Sequence, residues 1–467
     1  AALIPGRTFG SLADLKFVWP VLEARILTAI LSTLAILVAY RFARAAFGSP
    51  AGLIAATLVA LSALLIQLGH FATPDSTTIL LMSLTLLVAY RASVQPSLRG
   101  LAAMGVLGGA AIGTEYHMIV LVAPGLAAWW MSGNRRWSWL GAAAAGAILT
   151  FLILNVYMLF DFQGFWSATE HTLRIRTVDS ALQYGNRWAP YDPTWLYVVR
   201  FPLGYGTGFA LAIWYVAGFL WSLYRRTRAD WILLAWISPY FLLVSIEPAK
   251  FMRYSAPLLV PLAILAARLL VELCTLFATR RRAILVVLAA AALVYTAIYD
   301  FGYVGLFSTV EPRAAAAGWL TTHATSQTKI AFEVIPDGVV NLPYFLKPAD
   351  SKCFSQYRVG RLQPMTYVVF DSYAPEEQPP ILDPLIARYR RTLQGHGYTV
   401  AAHVHDVPTF LGLRFPIDGS PHDWRYASHE ITIYRNRAVV PGPSRYCFKS
   451  LSAAAAALYV RPSTRTG

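Results

Sequence analysis

Apolar runs of about 20 residues, the length that crosses a bilayer's hydrocarbon as a helix, recur along the first 304 residues of this chain. They are read at 26–45, 51–70, 76–92, 100–114, 116–132, 137–160, 203–224, 231–247, 255–276 and 284–304. A chain with that many such runs cannot bury them all in one water-soluble core. Composition agrees: 13% of the 467 residues are charged and 57% hydrophobic, where soluble domains carry about 25% charge. The net charge of +15 would suit nucleic acid, but the arginines sit between apolar runs instead. Arg41 and Arg44, Arg91 and Arg99, Arg135 and Arg136, Arg225, Arg226 and Arg228, and Arg280, Arg281 and Arg282 make every second connector basic. That is the positive-inside pattern, so the partner is membrane lipid, with no nucleic acid.

The basic connectors are read as cytoplasmic. Both flanks of 100–132 are arginine-rich, so this stretch reads as a hairpin with its tip at Gly113–His117. The parity then puts residues 1–25, the loop 161–202 and everything after 304 on the non-cytoplasmic side. A loop of that length exceeds a simple connector, and its rings and charges (Trp166, His171, Arg174, Arg176, Tyr184, Arg187, Trp188, Tyr191, Trp195) suit an interfacial belt or a working surface. The expected architecture is a polytopic α-helical membrane protein, 1–304, with a small C-terminal soluble α/β domain, 305–467, outside the inner (plasma) membrane, in the periplasm or the extracellular space.

In that second part, Thr309 is placed to cap a helix with Pro312 in its first turn. "KIAFEVI", "TYVVFDSY", "TVAAHVHDV" and "EITIYRN" read as strands, and "DPLIARYRRTLQGHGY" as a helix closing near Gly395 or Gly397. The last residues, "RPSTRTG", read as a loose tail. Cys274 lies in an apolar run as a packing residue; Cys353 and Cys447 share the polar part, where an oxidising compartment would permit a bridge. The chain opens Ala-Ala-Leu with no signal-peptide pattern, so an upstream segment is expected.

Charged residues at a membrane surface point to function by default, and here they gather at one level. Asp75 ends "LGHFATPD" just after His70; Glu115 and His117 sit at the hairpin tip; Asp161 follows the sixth run; Lys250, Arg253 and Tyr254 form "KFMRY". A cavity there would hold an anionic lipid headgroup on Lys250 and Arg253, and a hydroxyl acceptor or a metal ion near the carboxylates. Each has a plainer reading: Asp75 as a helix cap, Glu115 and His117 as solvated loop residues, Lys250 and Arg253 as snorkelling anchors, His70 as a packing histidine, Asp161 as an interface marker. The absence of a phosphate-binding glycine loop, HExxH and CxxC leaves soluble-nucleotide and zinc-hydrolase chemistry without support.

The stretch "EARILTAILSTLAILVAYRFARAAFGSPAGLIAATLVALSALLIQLGHFATPDSTTILLMSLTLLVAY", followed by "GAAIGTEYHMIVL", "LNVYMLFDFQGF", "KFMRYSAPLLVPLAILAA" and "EPRAAAAGWLTTHA", resembles the polyprenyl-phosphate-dependent glycosyltransferases of the GT-C superfamily, among them bacterial relatives of the protein O-mannosyltransferases and the aminoarabinose transferases. The likeness covers roughly 25 to 335. It implies transfer of a sugar from a polyprenyl-phosphate carrier to a hydroxyl of lipid, protein or glycan in the envelope, on the outer leaflet. Asp75 falls on the family's second acidic position, which binds a metal or orients substrate, so the resemblance leaves room for a divalent metal ion and needs no nucleotide cofactor. Lys250, Arg253 and Tyr254 fall on the basic motif that holds the carrier phosphate. Asn155, Tyr157 and Asp161 match the segment leading into the long outer loop, and His70, Glu115, His117 and Asp161 are candidates for substrate binding. Two departures stand. The usual catalytic carboxylate lies in the first outer loop, and neither Asp14 nor Glu23 occupies that motif, which leaves either an upstream base or lost activity. Relatives often carry lysine where this chain has Glu115. The competing readings are a lipid-linked anion transporter or flippase, and a non-catalytic envelope scaffold.

Overall fold

The computed structural model describes residues 12–133, 135–174, 177–178, 188–324, 328–333, 353–357, 365–371, 383–417, 419–428 and 430–439. The chain divides into two compact units. The first takes in residues up to 177, 190–304 and 410–413; the second takes in 178–189, 305–409 and 414–467.

Among the described residues, six helices are long and apolar enough to cross a membrane: Pro20–Phe47, Asp75–Val94, Trp137–Leu154, Arg228–Ile246, Met252–Leu276 and the stretch from Thr279. Ser49–Ala60 and Ala63–His70 make a seventh if taken as one span, bent by 60°. Leu98–Thr114, Tyr116–Met131 and Phe209–Arg225 are shorter apolar helices. The apolar run read over 51–70 is therefore broken. At the break the Tyr215 hydroxyl donates to the Leu58 carbonyl at 3.1 Å, and the Ser62 amide turns to Val59 instead. A side chain inserted into the helical ladder is a regular cause of a kink. The helix expected from 203 starts later, at Phe209. Before it lies a wide, π-helical turn over Val199–Tyr205 containing Pro202, and Gly208 enters the helix with φ 72.

Small residues set the closest helix contact. A Cβ on Gly105 or Gly109 would fall within 2.0 or 2.2 Å of the carbonyl oxygen of Ala143 or Ala147, so only glycine lets Leu98–Thr114 lie this close to Trp137–Leu154. Hairpin tip Glu115 has extended backbone, φ −148 and ψ 127, and separates Leu98–Thr114 from the 3-10 turn Tyr116–Leu121.

The second unit holds a five-stranded sheet. Its strands are β1 (Lys329–Glu333), β2 (Cys353–Tyr357), β3 (Tyr367–Asp371), β4 (Tyr398–His405) and β7 (Glu430–Asn436), in the order β2-β1-β3-β7-β4. β1 runs parallel to β2 and β3, and β7 antiparallel to β3 and β4. Alternation puts Tyr367, Val369, Ile431 and Ile433 on one face with Ala316, Ala317 and Leu320 of helix Pro312–His323. Val368, Phe370 and Tyr434 take the other face with Leu393 of helix Asp383–Gly395. This is the α/β layering expected from the sequence, with β2 added. Helix Pro312–His323 is capped by Glu311, whose carboxylate accepts from the Ala314 amide at 3.2 Å, not by Thr309. Proline at the first helical position fixes the cap one residue before it; Thr309 donates to the Leu306 carbonyl instead. The short strands β5 (Thr409–Phe410) and β6 (Leu413–Arg414) form a separate ribbon. Cys447 and the tail lie outside the described residues, as do Arg176, Tyr184 and Arg187.

Candidate functional site

Asp75 is the first residue of the helix Asp75–Val94 and is 4% exposed. Pro74 occupies the cap position and no side-chain cap bond is made, so Asp75 is not there as a cap. A carboxylate in the first turn is favoured by the helix dipole. The Thr78 hydroxyl, one turn on, donates to the Thr114 hydroxyl at 2.9 Å and ties this helix end to the residue before Glu115. Burial pushes the Glu115 carboxyl up to about 7, the nearby Asp75 charge pushes the same way, and Arg253 opposes both. Asp75, Glu115 and Arg253 thus share one neighbourhood although they are far apart in sequence.

The basic side comes from the segment between two helices. Lys250 is 2% exposed and donates to the Ser245 carbonyl at 2.5 Å; it does not snorkel. Burial lowers its ammonium to about 8, with Glu247 opposing. The Arg253 guanidinium lies 5.3 Å from the Phe251 ring centroid and 5.5 Å from that of Tyr254. Contacts of this kind hold a guanidinium's plane in place. Tyr254 is held in turn: its carbonyl accepts from the Tyr240 hydroxyl at 2.8 Å, and Tyr240 stacks on Trp236 at 4.5 Å. His117 packs its ring 5.6 Å from Tyr254 and pairs with Glu247 at 3.9 Å, so the hairpin tip and the "KFMRY" segment meet.

Asp75, Glu115, His117, Lys250, Arg253 and Tyr254 are therefore in one cluster. Two other candidates make local backbone bonds. His70 is exposed, and its Nδ1 bonds the Ile66 carbonyl of its own helix at 2.8 Å. Asp161 accepts from the Gly164 amide at 2.8 Å at the start of helix Phe162–Arg174. Asn155 is buried, its amide 3.0 Å from where a Cβ on Gly113 would stand, while Tyr157 is exposed. Tyr240 and Glu247 were not expected; Glu247 stood three residues before the basic motif, and Tyr240 sat unmarked in an apolar run.

Among the described residues no group of three or more His, Cys, Asp or Glu is placed to hold a metal ion. What the set does offer is a carboxylate able to accept a proton near neutral pH beside fixed cations able to hold an anion.

Residues 19–160 match the dolichyl-phosphate-mannose-protein mannosyltransferase family. No curated protein is matched. Among solved structures, ArnT from Cupriavidus metallidurans is similar at 18% identity in its apo state, covering 90% of this chain and 84% of that one with a TM-score of 0.43. Bound to undecaprenyl phosphate, it matches at 17% identity, 90% and 85% coverage and a TM-score of 0.44. The Archaeoglobus fulgidus oligosaccharyltransferase in complex with Zn and sulfate matches at 18% identity, over 64% of this chain and 44% of that one, with a TM-score of 0.37. The match to that family covers residues 19–160, the part of the chain that carries Asp75, Glu115 and His117.

Proposed function

We propose that the cluster around Asp75 and Arg253 transfers a sugar from a polyprenyl-phosphate carrier to a hydroxyl of an envelope lipid, protein or glycan, at the outer face of the membrane, with inversion. The observation that carries this reading is the meeting of buried Asp75, the half-buried Glu115 and Arg253 in one neighbourhood.

In this reading Asp75 takes the proton of the acceptor hydroxyl as general base. The acceptor oxygen forms its bond to the anomeric carbon from the face opposite the phosphate, and the bond from that carbon to the phosphate oxygen breaks. The electron pair leaves with the lipid phosphate. Arg253, steadied by its two aromatic neighbours, grips the phosphate through parallel N–H bonds. Lys250 adds positive charge. The transition state resembles an oxocarbenium ion, so negative charge nearby, Glu115 when ionised included, lowers its energy. No soluble nucleotide enters the reaction.

The test is transfer of a radiolabelled sugar from a polyprenyl-phosphate pool to an envelope fraction by the native-length protein. Asp75→Asn is expected to abolish transfer and Arg253→Ala to lower it on the order of a hundredfold, each at unchanged expression. Transfer left intact by both substitutions removes the site assignment. Movement of the lipid without a glycosylated product would replace the transferase with a transporter.

A further inference from the structure

The ribbon of β5 and β6 turns on two residues, Leu411 and Gly412, with φ 50 and φ 80. Turns with positive φ at both central positions ordinarily take Asn-Gly or Asp-Gly. Leucine is strained in that backbone region, and in water a turn tip is polar. Here Leu411 is 81% exposed and Leu413 54% exposed. Neither local conformation nor solvation accounts for two leucines at this tip.

Their neighbour does. Phe410 stacks on Phe301 at 5.3 Å and 24°, and Phe410–Leu413 groups with the membrane unit. Phe301 continues a stripe spaced by seven, Val287, Val294 and Phe301, each well exposed along helix Thr279–Ser308. An apolar stripe left bare on a membrane-crossing helix is its lipid face. From Arg282 to Phe301 is nineteen residues, about 28 Å of helix at about 1.5 Å each, close to the roughly 30 Å of hydrocarbon. Phe301 thus stands at the edge of the apolar layer opposite Arg280–Arg282, the level where aromatic rings settle.

We infer that the Phe410–Leu413 tip is a lipid anchor, with the Leu411 and Leu413 side chains inserted at the boundary of headgroups and acyl chains beside Phe301. The occupant is phospholipid, because the tip is continuous with a lipid-facing stripe. The inference is independent of sugar transfer.

The full chain, with Cys274, Cys353 and Cys447 replaced by serine, is reconstituted in phosphatidylethanolamine–phosphatidylglycerol vesicles. A nitroxide is attached to Leu411→Cys, and its collisions with oxygen and with a water-soluble nickel chelate are measured. Val294→Cys on the lipid face and Thr399→Cys, exposed on β4, supply the two references. Severalfold more oxygen than nickel contact, approaching the Val294→Cys value, is expected at position 411, and Leu413→Cys supplies the same reading if Leu411→Cys fails to fold. A ratio equal to that of Thr399→Cys overturns the anchor in favour of a water-facing loop. Protection from both reagents overturns it in favour of contact with a second copy.

Discussion

The two ends of helix Asp75–Val94 carry polar clusters built on opposite principles. At the Val94 end, Arg268 is 2% exposed and pairs with Asp230, which is fully buried, and with Glu272 at 2.8 Å. Glu272 also takes Arg225 at 3.1 Å and the Trp221 indole at 2.7 Å. Asp230 and Thr227 close a capping box at the start of Arg228–Ile246, and Arg228 donates to the Ser93 carbonyl at 2.8 Å. Nearly every charge there is matched by an opposite one. At the Asp75 end, two carboxylates crowd each other beside a guanidinium, and burial raises one of them. A saturated network locks helices together, whereas a set of like charges held in place costs stability and is free to act on a ligand.

The largest expected effect separates the two ends by stability. Arg268→Ala strands the buried Asp230 carboxylate and should destabilise the chain by about 3–5 kcal/mol, visible as a lower thermal midpoint in detergent. Asp75→Asn should leave that midpoint unchanged or raise it. An equal drop for both would erase the contrast.

Next comes a contrast in rate. Arg253→Ala should lower sugar transfer on the order of a hundredfold, the usual loss when a preorganised electrostatic group is removed from charge developing in a transition state, with unfolding unaltered. A loss of transfer that only tracks a loss of folded protein would make Arg253 structural.

The smallest effect sharpens the Asp75 end alone. Glu115 has its folded value raised from 4.5 to about 7. Above 4.5 the unfolded chain releases this proton while the folded chain keeps it. The stability the protonated carboxyl contributes is therefore fully present below 4.5, declines as pH rises toward 7, and is gone above it. Glu115→Gln should remove that downward slope from a thermal-midpoint titration. A slope identical in the two proteins would mean that Glu115 meets water in the folded state.

Much of this was legible along the chain. Periodic apolar runs and arginine-rich connectors marked the membrane part, and Asp75, Glu115, Lys250 and Arg253 stood out because charge is rare there. Alternating residues such as Tyr367–Phe370 and Ile431–Tyr434 marked strands with two buried faces. Other features left no linear trace. Arg268 and Glu272 sat within one apolar run, and their meaning depends on Asp230, a helix away. The bend at Leu61 follows from the Tyr215 hydroxyl, some 150 residues on.

Sequence by itself determined which segments avoid water and which residues carry charge, because transfer free energy is a property of each side chain and its near neighbours. Only the tertiary structure decided which charges meet. It put Glu115 beside Asp75 and Arg253, aimed Lys250 inward to Ser245, and gave His70 and Asp161 to local backbone bonds. Coulomb and hydrogen-bond energies depend on separation in space, and separation along the chain does not fix that distance.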